Sequence, residues 1–247
     1  MNSKRLAAVC LFALGLLAGA APAWAEGARP IEVHDRLALA DAGSADAVAI
    51  TLDACGGEFD RALVDTLIAE RVPATVFVTQ RWLARNPAGV AVLLAHPDLF
   101  DLQDHGTAHV PAIIGAGRRI YGLAGEPDLA HLQAEVAGAA RTIERLTGHA
   151  PSYYRGATAQ YDAQALQTID AMGYRVAGFS VNADAGATLP RAAIVARLRA
   201  VRPGDVVIAH VNKPAGFTAE AFAEVLPVLK ARGLRFVTLS QARLQRI

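Results

Sequence analysis

The stretch AVAITLDACGGEFDRALVDTLIAERVPATVFVT, residues 47–79, decides the fold. Ala47 to Leu52 is a short, largely apolar run rich in β-branched residues, and Ala74 to Thr79 is a second. Between them, Phe59 to Glu70 returns its apolar residues at helical spacing. A strand, a helix and a strand in so short a span give two parallel strands joined by a right-handed crossover. Asp53 closes the first strand and is soon followed by the glycine pair Gly56-Gly57. An acid there suits a general base facing a pocket, or an aspartate that caps the following turn.

The same alternation continues outward. Further β-rich runs lie at Leu99 to Leu102, Ser152 to Tyr154, Arg175 to Phe179, Asp205 to Ala209 and Arg235 to Leu239. Helical spacing marks Asp128 to Thr147, Ala163 to Met172, Arg191 to Val201 and Thr218 to Arg232. The longest of these has both ends signalled, by Asp128 as N-cap and Gly148 as C-cap. Such a chain forms either an open doubly wound sheet or a closed barrel. Asp53, His105, Arg155 and His210 each lie at or just past the end of a different expected strand. A barrel gathers those ends on one face, where such barrels carry their chemistry. The expected fold is therefore α/β, a distorted (β/α) barrel with about seven parallel strands.

Residues 1–25 are expected to be a signal peptide. Lys4 and Arg5 precede an apolar run from Leu6 to Ala21, and Ala23-Trp24-Ala25 supplies the small-x-small cleavage pattern. The alternative is a membrane anchor, but the run is shorter than the roughly 20 residues a spanning helix needs. The mature protein is thus expected to be exported, periplasmic or secreted. Residues 26–46 read as a lead-in and residues 47–247 as one domain, and no later stretch is long enough to span a membrane. With 24 basic and 23 acidic residues and no Lys/Arg run, the footprint of a nucleic-acid binder is missing. After cleavage Cys55 is the one remaining cysteine of two, so no intrachain disulfide is expected.

His105-Gly106-Thr107-Ala108-His109 sets two histidines four apart, which on a helical turn share one face and can hold one metal ion. Two ordinary polar histidines are the other reading. A metalloprotease motif is excluded, because Gly106 stands where that motif has glutamate. His34, His96, His131 and His149 read as surface residues, and Trp82 as helix packing.

The order of these motifs resembles the NodB-homology domain of the polysaccharide deacetylases, carbohydrate esterase family four. That family reads T-F-D-D-G, H-[ST]-x-x-H, an R-P-P-Y-like segment, an Asp-bearing segment and a late L-H. The counterparts here are Thr51-Leu52-Asp53-Ala54-Cys55, His105 to His109, Tyr154-Arg155-Gly156-Ala157-Thr158, Val181-Asn182-Ala183-Asp184 and Ile208-Ala209-His210. Val72-Pro73-Ala74-Thr75-Val76-Phe77 and Arg202-Pro203-Gly204-Asp205-Val206-Val207 are similar to its connecting stretches. The likeness runs from about Ala47 to Leu239.

The resemblance implies that Asp53 is the catalytic base and that Arg155 orients it. It implies His210 as the general acid, Asp184 as a tether for Arg155 or a substrate contact, and His105 and His109 as ligands of a divalent transition metal, zinc being the expected one. Thr158 and Tyr161 are expected to line a sugar subsite, and Asn212 to orient His210 or touch substrate. The implied activity is metal-assisted removal of N-acetyl or similar acyl groups from a cell-envelope carbohydrate. Aligned without gaps, however, Ala54 falls where the family has its metal-binding aspartate, and an alanine cannot ligate. Either two histidines and water hold the metal, or Asp53 is the third ligand, or the metal role is lost. Cys55 can offer a thiolate, although a small buried residue is the preferred reading. Gly156-Ala157-Thr158 replaces Pro-Pro-Tyr, which leaves open whether a backbone amide there binds the oxyanion. The rival functions are a glycan-binding module without catalysis and an esterase or deformylase acting on another acyl group.

Overall fold

The computed structural model describes residues 29–40 and 45–247; the signal segment expected over residues 1–25 lies outside them. Eight parallel strands form the central sheet: β1 (Ala47–Ala54), β2 (Ala74–Val78), β3 (Phe100–Asp104), β4 (Tyr153–Tyr154), β5 (Arg175–Val176), β6 (Val181–Asn182), β7 (Val206–His210) and β8 (Arg235–Val237). Seven follow one path in the order β5-β4-β3-β2-β1-β7-β6, and β8 pairs with the first residues of β1. The helices are α1 (Arg61–Ala69), α2 (Gln80–Arg85), α3 (Pro87–Leu94), α4 (Leu129–Thr147), α5 (Ala163–Ala171), α6 (Arg191–Arg199) and α7 (Thr218–Ala231). The expected βαβ unit is present, and α4 carries the expected caps. The Asp128 side chain accepts from the amide of His131, and Gly148 is left-handed at φ 80°.

Strand parity divides the core into two layers, because successive side chains on a strand point to opposite faces. Val48, Ile50, Leu52 and Ala54 pack with the buried faces of the surrounding helices. Ala47 and Ala49 instead join Phe77, Val206, Ile208 and Phe179 on the inner face. The sheet curls around this inner cluster into a distorted barrel.

The barrel closes by chain continuity rather than by a strand pair. β5 and β6, the two ends of the path, belong to one stretch, Arg175–Asn182, which pairs with β4 at its start and β7 at its end. The lead-in fills this seam. The Asp35 amide donates to Phe179 O, and the Asp35 carboxylate accepts from the Gly178 amide at 2.7 Å. Residues Asp35–Leu37 then pair with Leu244–Arg246. Gly178 is required here, since a Cβ would stand 2.3 Å from Val33 O. Among the described residues, no helix is long and apolar enough to cross a membrane.

Candidate active site

The inward parity of the strands continues past their ends. Asp53 follows Thr51 on the inner face of β1, and Cys55 follows Asp53. The same count places His105 beyond β3, Arg155 beyond β4 and His210 at the end of β7. The β1–β7 register sets His210 directly beside Asp53. Ala54 has the opposite parity and is buried among the helix-facing residues. The residue that shares the site with the two histidines is thus Cys55, one place later than the gapless alignment indicates.

Asp53 and Arg155 form the buried base of the site. Arg155 Nη1 donates to Asp53 Oδ1 and to Thr51 Oγ1, both at 2.8 Å. Its other nitrogens donate to the carbonyls of Ala177 and Gly178, and its guanidinium lies 4.2 Å from the centre of the Phe77 ring. With every polar edge engaged and no solvent exposure, the guanidinium is a fixed charge. Burial raises the Asp53 pKa, but attraction to Arg155, then His105 and His210, outweighs it and leaves the carboxyl below its ordinary value.

Cys55, His105 and His109 present one donor atom each, all within 4.8 Å of one another. His105 Nδ1 donates to the Arg155 carbonyl at 2.5 Å, which turns Nε2 toward Cys55 Sγ, 3.3 Å away. A backbone carbonyl on one ring nitrogen is the usual arrangement for directing the other to a metal. A thiolate and two imidazoles also suit zinc or a similar transition ion. The residues present therefore fit a metal. Burial raises the Cys55 thiol, but His105 and the neighbouring histidines pull it well below the usual cysteine range. Burial correspondingly lowers His105, while Asp53 and Cys55 raise it to about 9.

The two histidines do not share a helical turn, as the spacing suggested; they lie on a loop. Gly106 and His109 are both left-handed there, at φ 88° and 63°, and the two rings meet edge to face with centres 4.9 Å apart. Glu135, on α4, holds this loop. Its carboxylate accepts the amides of Ala108 and Val110 at 2.9–3.0 Å. A Cβ at position 106 would lie 2.5 Å from Glu135 Oε1, so the glycine admits the carboxylate. Sequence reading missed Glu135; the available signal is an acid on the otherwise apolar, buried face of α4.

Asp184 is a correction. It does not tether Arg155, and it is fully buried rather than open to substrate. Its Oδ1 accepts from His210 Nδ1 at 2.8 Å, and its Oδ2 accepts from the His210 amide and from Thr218 Oγ1. Burial lowers the His210 pKa, but the hydrogen bond to Asp184, then Cys55, carries it well above 6.5.

Asn212 is also corrected. Its side chain grips the Gly56 carbonyl and so holds the Cys55–Gly57 turn, with no bond to His210. Tyr161 is fully buried, and its hydroxyl accepts the Gly156 amide at 2.8 Å. It lines no sugar subsite, and it occupies an amide considered for the oxyanion. Thr158, left-handed at φ 68°, does line the cleft, together with Asp53, Cys55, His109 and His210. That cleft measures about 500 Å³. A second hollow, about 560 Å³, lies away from these residues, around Phe100 to Gln103 and Thr238 to Gln241.

The family model for polysaccharide deacetylase matches residues 40–177, more than half of the chain. The chain belongs to the polysaccharide deacetylase family. No curated protein matches it. Among solved structures, a peptidoglycan N-acetylglucosamine deacetylase is similar at 22% identity and TM-score 0.66, over 83% of this chain and 89% of that one. A family 4 acetyl xylan esterase from Clostridium thermocellum, in complex with a cobalt ion, is 20% identical with TM-score 0.64, over 79% and 89%. A family 4 pseudoenzyme from Bacillus anthracis is 16% identical with TM-score 0.63, and this polysaccharide deacetylase homologue covers 64% of its length and aligns over 79% of its own. At these identities the likeness is one of fold.

Proposed function

We propose that this polysaccharide deacetylase homologue is an exported hydrolase that removes N-acetyl, or similarly small acyl, groups from a cell-envelope carbohydrate. One observation carries the reading: the Asp53 carboxylate, kept ionised by a buried arginine, shares a cleft with a histidine backed by a carboxylate. Asp53 Oδ2 is the oxygen left free by Arg155, and it accepts the proton of the attacking water. His210, fixed by Asp184 through Nδ1, gives a proton from its other nitrogen to the departing amine. The Asp184 carboxylate raises its pKa and so favours the protonated form. Cys55, His105 and His109 would hold a divalent metal, zinc by donor chemistry, which supplies Lewis-acid polarisation of the acyl carbonyl. Thr158 lines the cleft beside the reacting group.

The test is acetate release from N-acetylglucosamine oligosaccharides by the zinc-supplemented chain, beside Asp53→Asn and His210→Gln. Turnover in the wild type that drops at least about a hundredfold in each variant supports the reading. Oligosaccharide binding without acetate release indicates the glycan-binding module instead. Release from acetylated xylan alone moves the activity to ester hydrolysis.

A further inference from the structure

We propose that Tyr121 is a stacking platform for a sugar ring in the substrate-binding cleft, a residue that sequence reading passed over in favour of the buried Tyr161. The substrate class rests on the hydrolase reading above. Arg119–Ile120 and Leu123–Ala124 form a two-stranded antiparallel hairpin whose turn is Tyr121-Gly122. Both turn residues are left-handed, at φ 48° and 81°. That conformation matches the tight hairpin turn in which asparagine or glycine usually comes first, so a bulky aromatic there is uncommon.

The hairpin is held at several points. Arg119 Nε closes the turn by donating to the Gly122 carbonyl at 3.1 Å, and Ile120 is buried beneath it. At its base, Arg118 donates to the Asp162 carboxylate at 2.8 Å. Tyr121 is nevertheless 81% exposed, more than any other large hydrophobic residue described. It also lines the cleft that contains Asp53, Cys55 and His210.

The anchored hairpin therefore displays a bare aromatic face at the catalytic cleft, where polar residues such as Glu32, Asn182 and Thr188 alternate with apolar ones such as Phe179 and Ile208. This combination fits a pyranose, whose C–H face lies on the electron-rich ring while its hydroxyls meet polar neighbours.

Calorimetric titration of the zinc-supplemented chain with N-acetylglucosamine oligomers of two to six units tests the platform. Tyr121→Ala should weaken binding of the longer oligomers about tenfold, one lost aromatic contact, with an unchanged melting temperature. Tyr121→Phe should bind within about twofold of the wild type, since the ring face is kept. Phe217→Ala removes an exposed aromatic outside the cleft and should leave affinity as it is. Wild-type affinity in Tyr121→Ala, no binding by the wild type, or equal weakening in Tyr121→Phe overturns the platform. A wild type that binds oligomers through Tyr121 yet releases no acetate defeats the hydrolase reading and leaves the platform standing.

Discussion

Arg155 shows how one buried side chain joins stability to chemistry. It satisfies Asp53, Thr51 and two carbonyls at the barrel seam, so a substitution there leaves several buried groups without partners. Arg155→Lys keeps the charge but not the planar fork that makes these bonds together. It is expected to lower kcat at least about a hundredfold and to destabilise the fold by about 3 kcal/mol, measured by steady-state rates and urea denaturation. At this scale Asp53, His105, Arg155 and His210 were legible in the sequence, because a polar residue at the end of an apolar strand has few structural uses. The place of Cys55 beside the two histidines was ranked below a small buried residue because the alignment was read residue by residue. Counting inward positions Thr51, Asp53, Cys55 along the strand would have found it. The partner of His210 was not legible either, since Asp184 reaches it from another segment of the chain.

Loops and helices place the two histidines that cluster with Cys55. Glu135 reaches from α4 to two amides of the His105–His109 loop, so it fixes the position of His109 without touching a metal. Glu135→Gln is expected to weaken zinc affinity by about ten- to a hundredfold, measured by competition with a chelating dye, while α4 stays folded by circular dichroism. At the seam, Gly178→Ala drives a methyl group against Val33 O and should cost about 1–3 kcal/mol of stability, seen as a lower denaturation midpoint. Elements with strong local signals were read correctly, as with α4 and its two caps. The helix Gln80–Arg85 was read only through Trp82, and Pro87–Leu94 escaped notice, because the chain breaks at Asn86 before a full period accumulates. Residues 26–46 were read only as a lead-in, because the strand Asp35–Leu37 within them is defined by contacts with Gly178, Phe179 and the distant C-terminal strand.

The whole molecule is a barrel that brings four strand ends and one loop to a single mouth. Strand and helix alternation made that architecture legible, whereas closure through one continuous stretch was not, being a matter of long-range pairing. Its stability should carry a pH signature from Glu126, a buried acid raised from 4.5 to about 7 by burial and by nearby Glu135. The folded chain holds this proton more tightly than the unfolded chain does. The linked stability is therefore complete below pH 4.5 and lost as the pH rises through 7. Glu126→Gln should flatten that loss, as read by denaturation at pH 4.5, 6 and 8. The central claim is that these strand ends build a metal-assisted hydrolytic centre with a cysteine where the family has aspartate. The most direct test is metal analysis of the purified, zinc-dialysed chain beside His105→Ala and Cys55→Ala. The account predicts about one zinc per chain, greatly reduced in both variants. No bound metal in the wild type, or full metal in Cys55→Ala, would contradict it.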